Sequence, residues 1–70
     1  MFYKQQEVPQ NSVGMARKSA KLTQAELADA VGVTRQTIIA IEKGNYTPSV
    51  LLALKLAETL DKPVEELFWI

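Results

Sequence analysis

The chain has neither cysteine nor histidine. The first absence removes any disulfide frame and every thiolate, and it fits a reducing compartment. Together the two remove the common zinc ligands and the usual neutral-pH general base, leaving carboxylates, lysines and hydroxyls for any chemistry. No nucleophile beside a base stands out among them, so no enzyme, catalytic residue, metal or cofactor is expected. Long apolar runs are missing too: none approaches the roughly 20 residues of a membrane span. The start, Met1-Phe2-Tyr3-Lys4-Gln5-Gln6, lacks the apolar centre of a signal peptide. A cytoplasmic protein without a membrane partner is therefore expected.

Net charge is also absent, because eight basic residues meet eight acidic ones. Their distribution is less even. Residues 1–45 hold Lys4, Arg17, Lys18, Lys21, Arg35 and Lys43 against Glu7, Glu26, Asp29 and Glu42, whereas residues 46–70 hold Lys55 and Lys62 against Glu58, Asp61, Glu65 and Glu66. The mild positive excess of the first part suits a polyanionic partner and equally describes an ordinary solvated surface.

Seventy residues leave room for one hydrophobic core. A core this small buries only roughly 60% of the surface its unfolded chain would expose, so a second copy is a natural source of further burial. The 47% apolar content and interspersed charges point to a folded globular chain. The expected organisation is an N-terminal arm over 1–10 and a helical domain over 11–70.

Caps, glycines and prolines divide that domain into five helices. The first starts at Asn11 or Ser12, either able to cap, and runs to about Ala20, with Gly14 weakening it by up to about 1 kcal/mol. The second has a sharper start, since Thr23-Gln24-Ala25-Glu26 is a capping box. It carries Leu27, Ala28 and Val31 inward and stops at Gly32, where a positive φ brings no Cβ penalty. After Val33, Thr34 caps a third helix from Arg35 to about Lys43, with Gly44 as its stop. Two short helices joined this tightly cross at a large angle, as in a helix-turn-helix or a simple helical hairpin. Ser49 caps a fourth helix, Val50 to about Leu60, and Pro63 opens a fifth that ends near Leu67. The fourth is almost wholly apolar. Val50, Ala53, Leu54, Ala57 and Leu60 form its stripe, widened by Leu51, Leu52 and Leu56, so it is either central or partly covered by another chain.

On the third helix Ile38 and Ile41 share the face that must be core, leaving Arg35, Gln36, Ile39, Ala40 and Lys43 on or near the other. Arg35 can donate twice to guanine O6 and N7, Gln36 can pair with adenine N6 and N7, and Ile39 or Ala40 can meet a thymine methyl. Gln24 opens the second helix, where unsatisfied amides and the positive dipole end favour a phosphate. Ser49 opens the fourth in the same way. Asn45, Tyr46 and Thr47 lie in the loop between, positioned either for backbone contact or simply for turning the chain.

Leu22-Thr23-Gln24-Ala25-Glu26-Leu27-Ala28, Val31 to Ile38, Ile41-Glu42-Lys43-Gly44, Tyr46-Thr47-Pro48-Ser49 and Val64-Glu65-Glu66-Leu67-Phe68 together resemble the Cro/C1-type, or XRE-like, helix-turn-helix family. Within it the chain is similar to the short single-domain bacterial repressors of the cytolysin-repressor type. The resemblance implies an all-α, five-helix, lambda-repressor-like domain, from a bacterium or phage, that binds double-stranded DNA as a homodimeric repressor at a palindromic operator. It implies base reading by Arg35, Gln36, Ile39 and Ala40. Backbone contacts would come from Gln24, Thr37, Lys43, Asn45, Tyr46, Thr47 and Ser49, and an internal ion pair would join Arg17 to Glu42. It further implies a small two-stranded ribbon from the two chain ends beside a dimer contact, made of Phe2, Tyr3, Leu67, Phe68, Trp69 and Ile70. The same scaffold could instead serve as an antitoxin or adaptor that grips a protein partner, because fold alone does not decide function.

Overall fold

The computed structural model describes residues 7–70. In chain order it contains β1 (Gln10–Asn11), α1 (Val13–Ser19), α2 (Gln24–Val31), α3 (Arg35–Glu42), α4 (Val50–Leu60), α5 (Val64–Leu67) and β2 (Phe68–Trp69). Local chemistry accounts for most of these boundaries. Thr23 Oγ1 accepts from the Glu26 amide at 3.0 Å while Glu26 Oε1 accepts from the Thr23 amide at 2.8 Å, so the capping box is complete. Thr34 caps α3 through the Thr37 amide, and Ser49 caps α4 through the Leu52 amide. Gly32 ends α2 in the left-handed region at φ 77°, and the Val33 amide then donates back to Ala28 O at 3.0 Å.

Two helix starts differ from the sequence expectation. Ser12 sits at the N-cap of α1 without a side-chain cap bond; Asn11 Oδ1 accepts from the Val13 amide instead, at 3.1 Å. Ser12 Oγ is freed to donate to Glu66 O at 2.8 Å, and its amide donates to Leu67 O. Pro63 stands at the N-cap of α5, one position ahead of its expected place.

The same region forms the sheet. β1 and β2 pair antiparallel, with Gln10 opposite Trp69 and Asn11 opposite Phe68. A ribbon joining the two ends of the domain is thus present, with Gln10–Asn11 as the first strand. Phe2 and Tyr3 lie outside the described residues. Asn11 also reaches across the molecule, its Nδ2 donating to Ile41 O at 2.8 Å and satisfying a carbonyl in the last turn of α3.

One core unites the helices: Val13 and Ala16 from α1, Leu27, Ala28 and Val31 from α2, Ile38 and Ile41 from α3, Leu52, Leu56 and Leu60 from α4, and Leu67 from α5. Two expectations are corrected here. The buried row of α4 is Leu52, Leu56 and Leu60, spaced at successive helical turns, whereas Val50 and Leu51 are 78% and 63% exposed and Leu54 is about half exposed. A helix apolar on nearly every side offers several equivalent stripes, so only its packing partners select one. Leu67, expected at a dimer contact, is fully buried and offers no side-chain surface to a second chain. Phe68 is half-buried against the core, while Trp69 and Ile70 are exposed.

The capping box has a measurable pH signature. Hydrogen bonds from the Thr23 amide and then its hydroxyl hold the Glu26 carboxyl below its ordinary pKa. A pKa lowered on folding contributes stability above the unfolded value, and that contribution fades as pH falls toward the folded one. Urea denaturation through the carboxylate range should therefore show a shallower acid loss for Glu26→Gln than for the wild type. Thr23→Ala should cost about 1 kcal/mol at neutral pH.

Candidate nucleic-acid interface

α2 and α3 meet through the short Gly32-Val33-Thr34 connection, and Ile38 and Ile41 are both fully buried. That register turns the opposite side of α3 outward. Arg35, Gln36 and Lys43 are exposed, and Ile39 and Ala40 are half-buried beside them. Thr37 is half-buried, with its hydroxyl 3.2 Å from that of Thr34. Gln24 is half-buried at the first position of α2. Asn45, Tyr46, Thr47 and Ser49 are exposed along the α3–α4 connection, where the Asn45 amide ties back to Ala40 O at 2.9 Å. The Ser49 hydroxyl is occupied as a cap. All the expected DNA-facing positions thus retain some solvent access.

Behind this surface lies the expected ion pair. Arg17 Nε donates to Glu42 Oε2 at 2.7 Å and its NH2 group to Oε1 at 3.2 Å, a two-point contact, while NH1 donates to Leu22 O at 2.8 Å. The hydrogen bond to Glu42 raises the Arg17 pKa, outweighing the opposing effect of burial. No buried side-chain nitrogen or oxygen lacks a partner among the described residues. Because Arg17 cancels Glu42, the charges that α3 and its C-cap present to solvent are the two cations Arg35 and Lys43.

Two further contacts in this region join residues that lie far apart in the sequence. Gln24 Nε2 donates to Glu42 Oε1 at 3.2 Å, and Arg35 NH2 donates to Gln24 Oε1 at 3.3 Å. Gly14 comes close to the same carboxylate: a Cβ there would lie 3.2 Å from Glu42 Oε1. Glycine in α1 is costly to the helix and is explained by this approach. No sequence signal announces either contact, since each joins residues on different elements.

A family model described as helix-turn-helix matches residues 13–67, nearly the whole domain. The chain belongs to the Cro/C1-type helix-turn-helix family. The HTH-type transcriptional regulator YgzD of Bacillus subtilis (strain 168) is 47% identical to this family member over 60 residues, covering 86% of this chain and 91% of YgzD. An HTH-type transcriptional regulator of Methanothermobacter thermautotrophicus is 57% identical over 53 residues, covering 74% and 77%. Among solved structures, the restriction-modification controller protein C.AhdI from Aeromonas hydrophila aligns with TM-score 0.74 at 34% identity, covering 80% of this chain and 85% of that one. The N-terminal DNA binding domain of SinR from Bacillus subtilis aligns with TM-score 0.70 at 28% identity, covering 76% and 78%. This helix-turn-helix protein is accordingly a DNA-binding transcriptional regulator. None of the described helices is long and apolar enough to cross a membrane.

The ion pair sets a stability prediction for this regulator. Arg17→Ala leaves a shielded carboxylate without its cation and should cost about 3–5 kcal/mol in denaturant unfolding. Replacing both partners by methionine should cost much less, since neither charge is then left unpaired.

Proposed function

We propose that the chain is a repressor that binds a palindromic operator as a homodimer, each copy setting α3 into the major groove. The observation that carries this reading is the exposure of Arg35 and Gln36 at the N-terminal end of a helix whose other face is locked inward by Ile38 and Ile41. Both side chains have the donor patterns that distinguish bases, Arg35 for guanine and Gln36 for adenine, with Ile39 and Ala40 beside them for a thymine methyl. Lys43, Thr37, Asn45, Tyr46, Thr47 and Ser49 would fix the register on phosphates. Gln24 can join them, because an amide nitrogen has two hydrogens and only one is used on Glu42.

Dimerisation is supported by the apolar surface that one copy leaves in water. It comprises Val50, Leu51 and Leu54 on α4, with Trp69 and Ile70 beyond α5. Covering one such set would provide burial that a 70-residue core lacks. Two-fold pairing would place the recognition helices about 34–36 Å apart on successive turns of the duplex, and occupancy of promoter DNA would block transcription. An adaptor role through α4 would leave Arg35 and Gln36 without use.

Selection from random DNA followed by titration of the recovered site tests the reading. Arg35→Ala should lose roughly 1–3 kcal/mol of discrimination at one base pair. Lys43→Ala should weaken all sequences alike and flatten the salt dependence by about 1 unit. The assigned face is wrong if both variants bind operator and random DNA as the wild type does. In sedimentation the wild type should be a dimer, and either Leu51→Glu/Leu54→Glu or deletion of Trp69 and Ile70 should release monomers. A wild-type monomer that binds its operator at full affinity would remove the dimer from the proposal.

A further inference from the structure

Glu42 is one end of a shielded ion pair, its side chain only 12% exposed. Its hydrogen bonds extend further. Oε2 is taken by Arg17 alone, but Oε1 accepts from both Arg17 and Gln24, and Gln24 in turn accepts from Arg35. Four side chains on three helices thus form one chain of bonds: Arg17 on α1, Glu42 on α3, Gln24 on α2 and Arg35 back on α3.

The chemistry gives this chain a direction. A carboxylate only accepts and a guanidinium only donates, so the amide between them has one workable orientation, nitrogen toward Glu42 and oxygen toward Arg35. The reverse orientation would face acceptor to acceptor and donor to donor. Glu42 therefore determines which atom Gln24 shows to Arg35. Along α3 the two charged residues are seven positions apart, about 10 Å on the axis and nearly on one face, so Gln24 spans the space between them.

We propose that Glu42 is a positioning residue for base reading: through Gln24 it holds the Arg35 guanidinium in the pose presented to DNA, so a shielded carboxylate contributes to sequence specificity. The inference rests on the proposed base reading by Arg35. A side chain restrained before binding has fewer rotamers to lose when it docks, and a two-point contact with guanine needs the fork correctly aimed. Gly14 belongs to the same device, because any larger residue there presses on Glu42 Oε1.

The test separates aiming from folding. In Arg17→Met/Glu42→Met no unpaired charge is left inside, the acceptor for Gln24 is gone, and none of the proposed DNA-contacting residues is altered. Binding of this variant and of Arg35→Ala is measured on random DNA, on the selected operator and on operators substituted at each base pair. The expected result for the double variant is wild-type binding to random DNA and a loss of discrimination of about 5-fold or more, confined to the base pair that Arg35→Ala affects. Added to Arg35→Ala, it should cause no further loss there. A uniform weakening on all sequences, or an unchanged preference at that base pair, overturns the inference while leaving Arg35 as the reader. If Arg35→Ala itself alters no base preference, base reading by Arg35 fails and this inference fails with it. Should the double variant not fold, near-isosteric Glu42→Gln carries the test. It lets the Gln24 amide turn either way and should produce a smaller loss at the same base pair; no loss there again counts against the inference.

Discussion

A carboxylate shielded from water must find donors or give up its charge, and Glu42 finds them on two other helices. Arg17 supplies a two-point contact from α1 and Gln24 a third bond from α2. Since Glu42 itself ends α3, this single group ties together the three helices that determine how the turn is presented. Apolar packing of Leu27, Ile38 and Ile41 supplies bulk attraction between the same helices, but apolar contact is not directional. The hydrogen bonds of Glu42 are, and they fix the azimuth at which α3 leaves the core. Gly14 leaves room for the Glu42 carboxylate against α1, where a Cβ would crowd it.

Around this junction, orphan backbone groups are satisfied by residues remote in sequence. Asn11 is an instance: its Oδ1 starts α1, its Nδ2 closes a carbonyl in the last turn of α3, and its backbone pairs with β2. Ser12 likewise gives up capping its own helix and bonds the carbonyl of Glu66. The two-residue strands are too short to be stable as an isolated ribbon. They persist because they are anchored by these side chains and by half-buried Phe68 against the core.

What was legible in the sequence follows from how local each determinant is. Thr23, Thr34 and Ser49 each cap a helix through the amide three residues on, and Gly32 needs only its own φ, so the bounds of α2, α3 and α4 are nearly all legible locally. The outward side of α3 followed from Ile38 and Ile41 because that helix has polar positions to contrast with them. α4 has almost none, and its true buried row of Leu52, Leu56 and Leu60 depends on neighbours that periodicity does not reveal. The strand partners of Phe68 and Trp69 are Asn11 and Gln10, at the opposite end of the domain and beyond any local signal. The Arg17–Glu42 pair, 25 residues apart, is implied by the family resemblance and not by spacing. The bonds from Gln24 had no such guide.

These differences in legibility coincide with differences in physical role. Elements set by local capping form a scaffold that many sequences could build, whereas the contacts hidden from a linear reading determine its precise pose. DNA recognition is sensitive to that second kind of information. A capped helix delivers Arg35 to the correct side of the protein, yet a guanidinium at the end of a long flexible side chain can point in many directions from there. Gln24 narrows those directions, and its bond to Glu42 holds the amide in the orientation that does so. The residues that would touch DNA and the residues that stabilise the fold therefore do not form separate sets here. A shielded ion pair, often a poor source of net stability, acquires in this arrangement a use that an apolar replacement of equal volume would not reproduce.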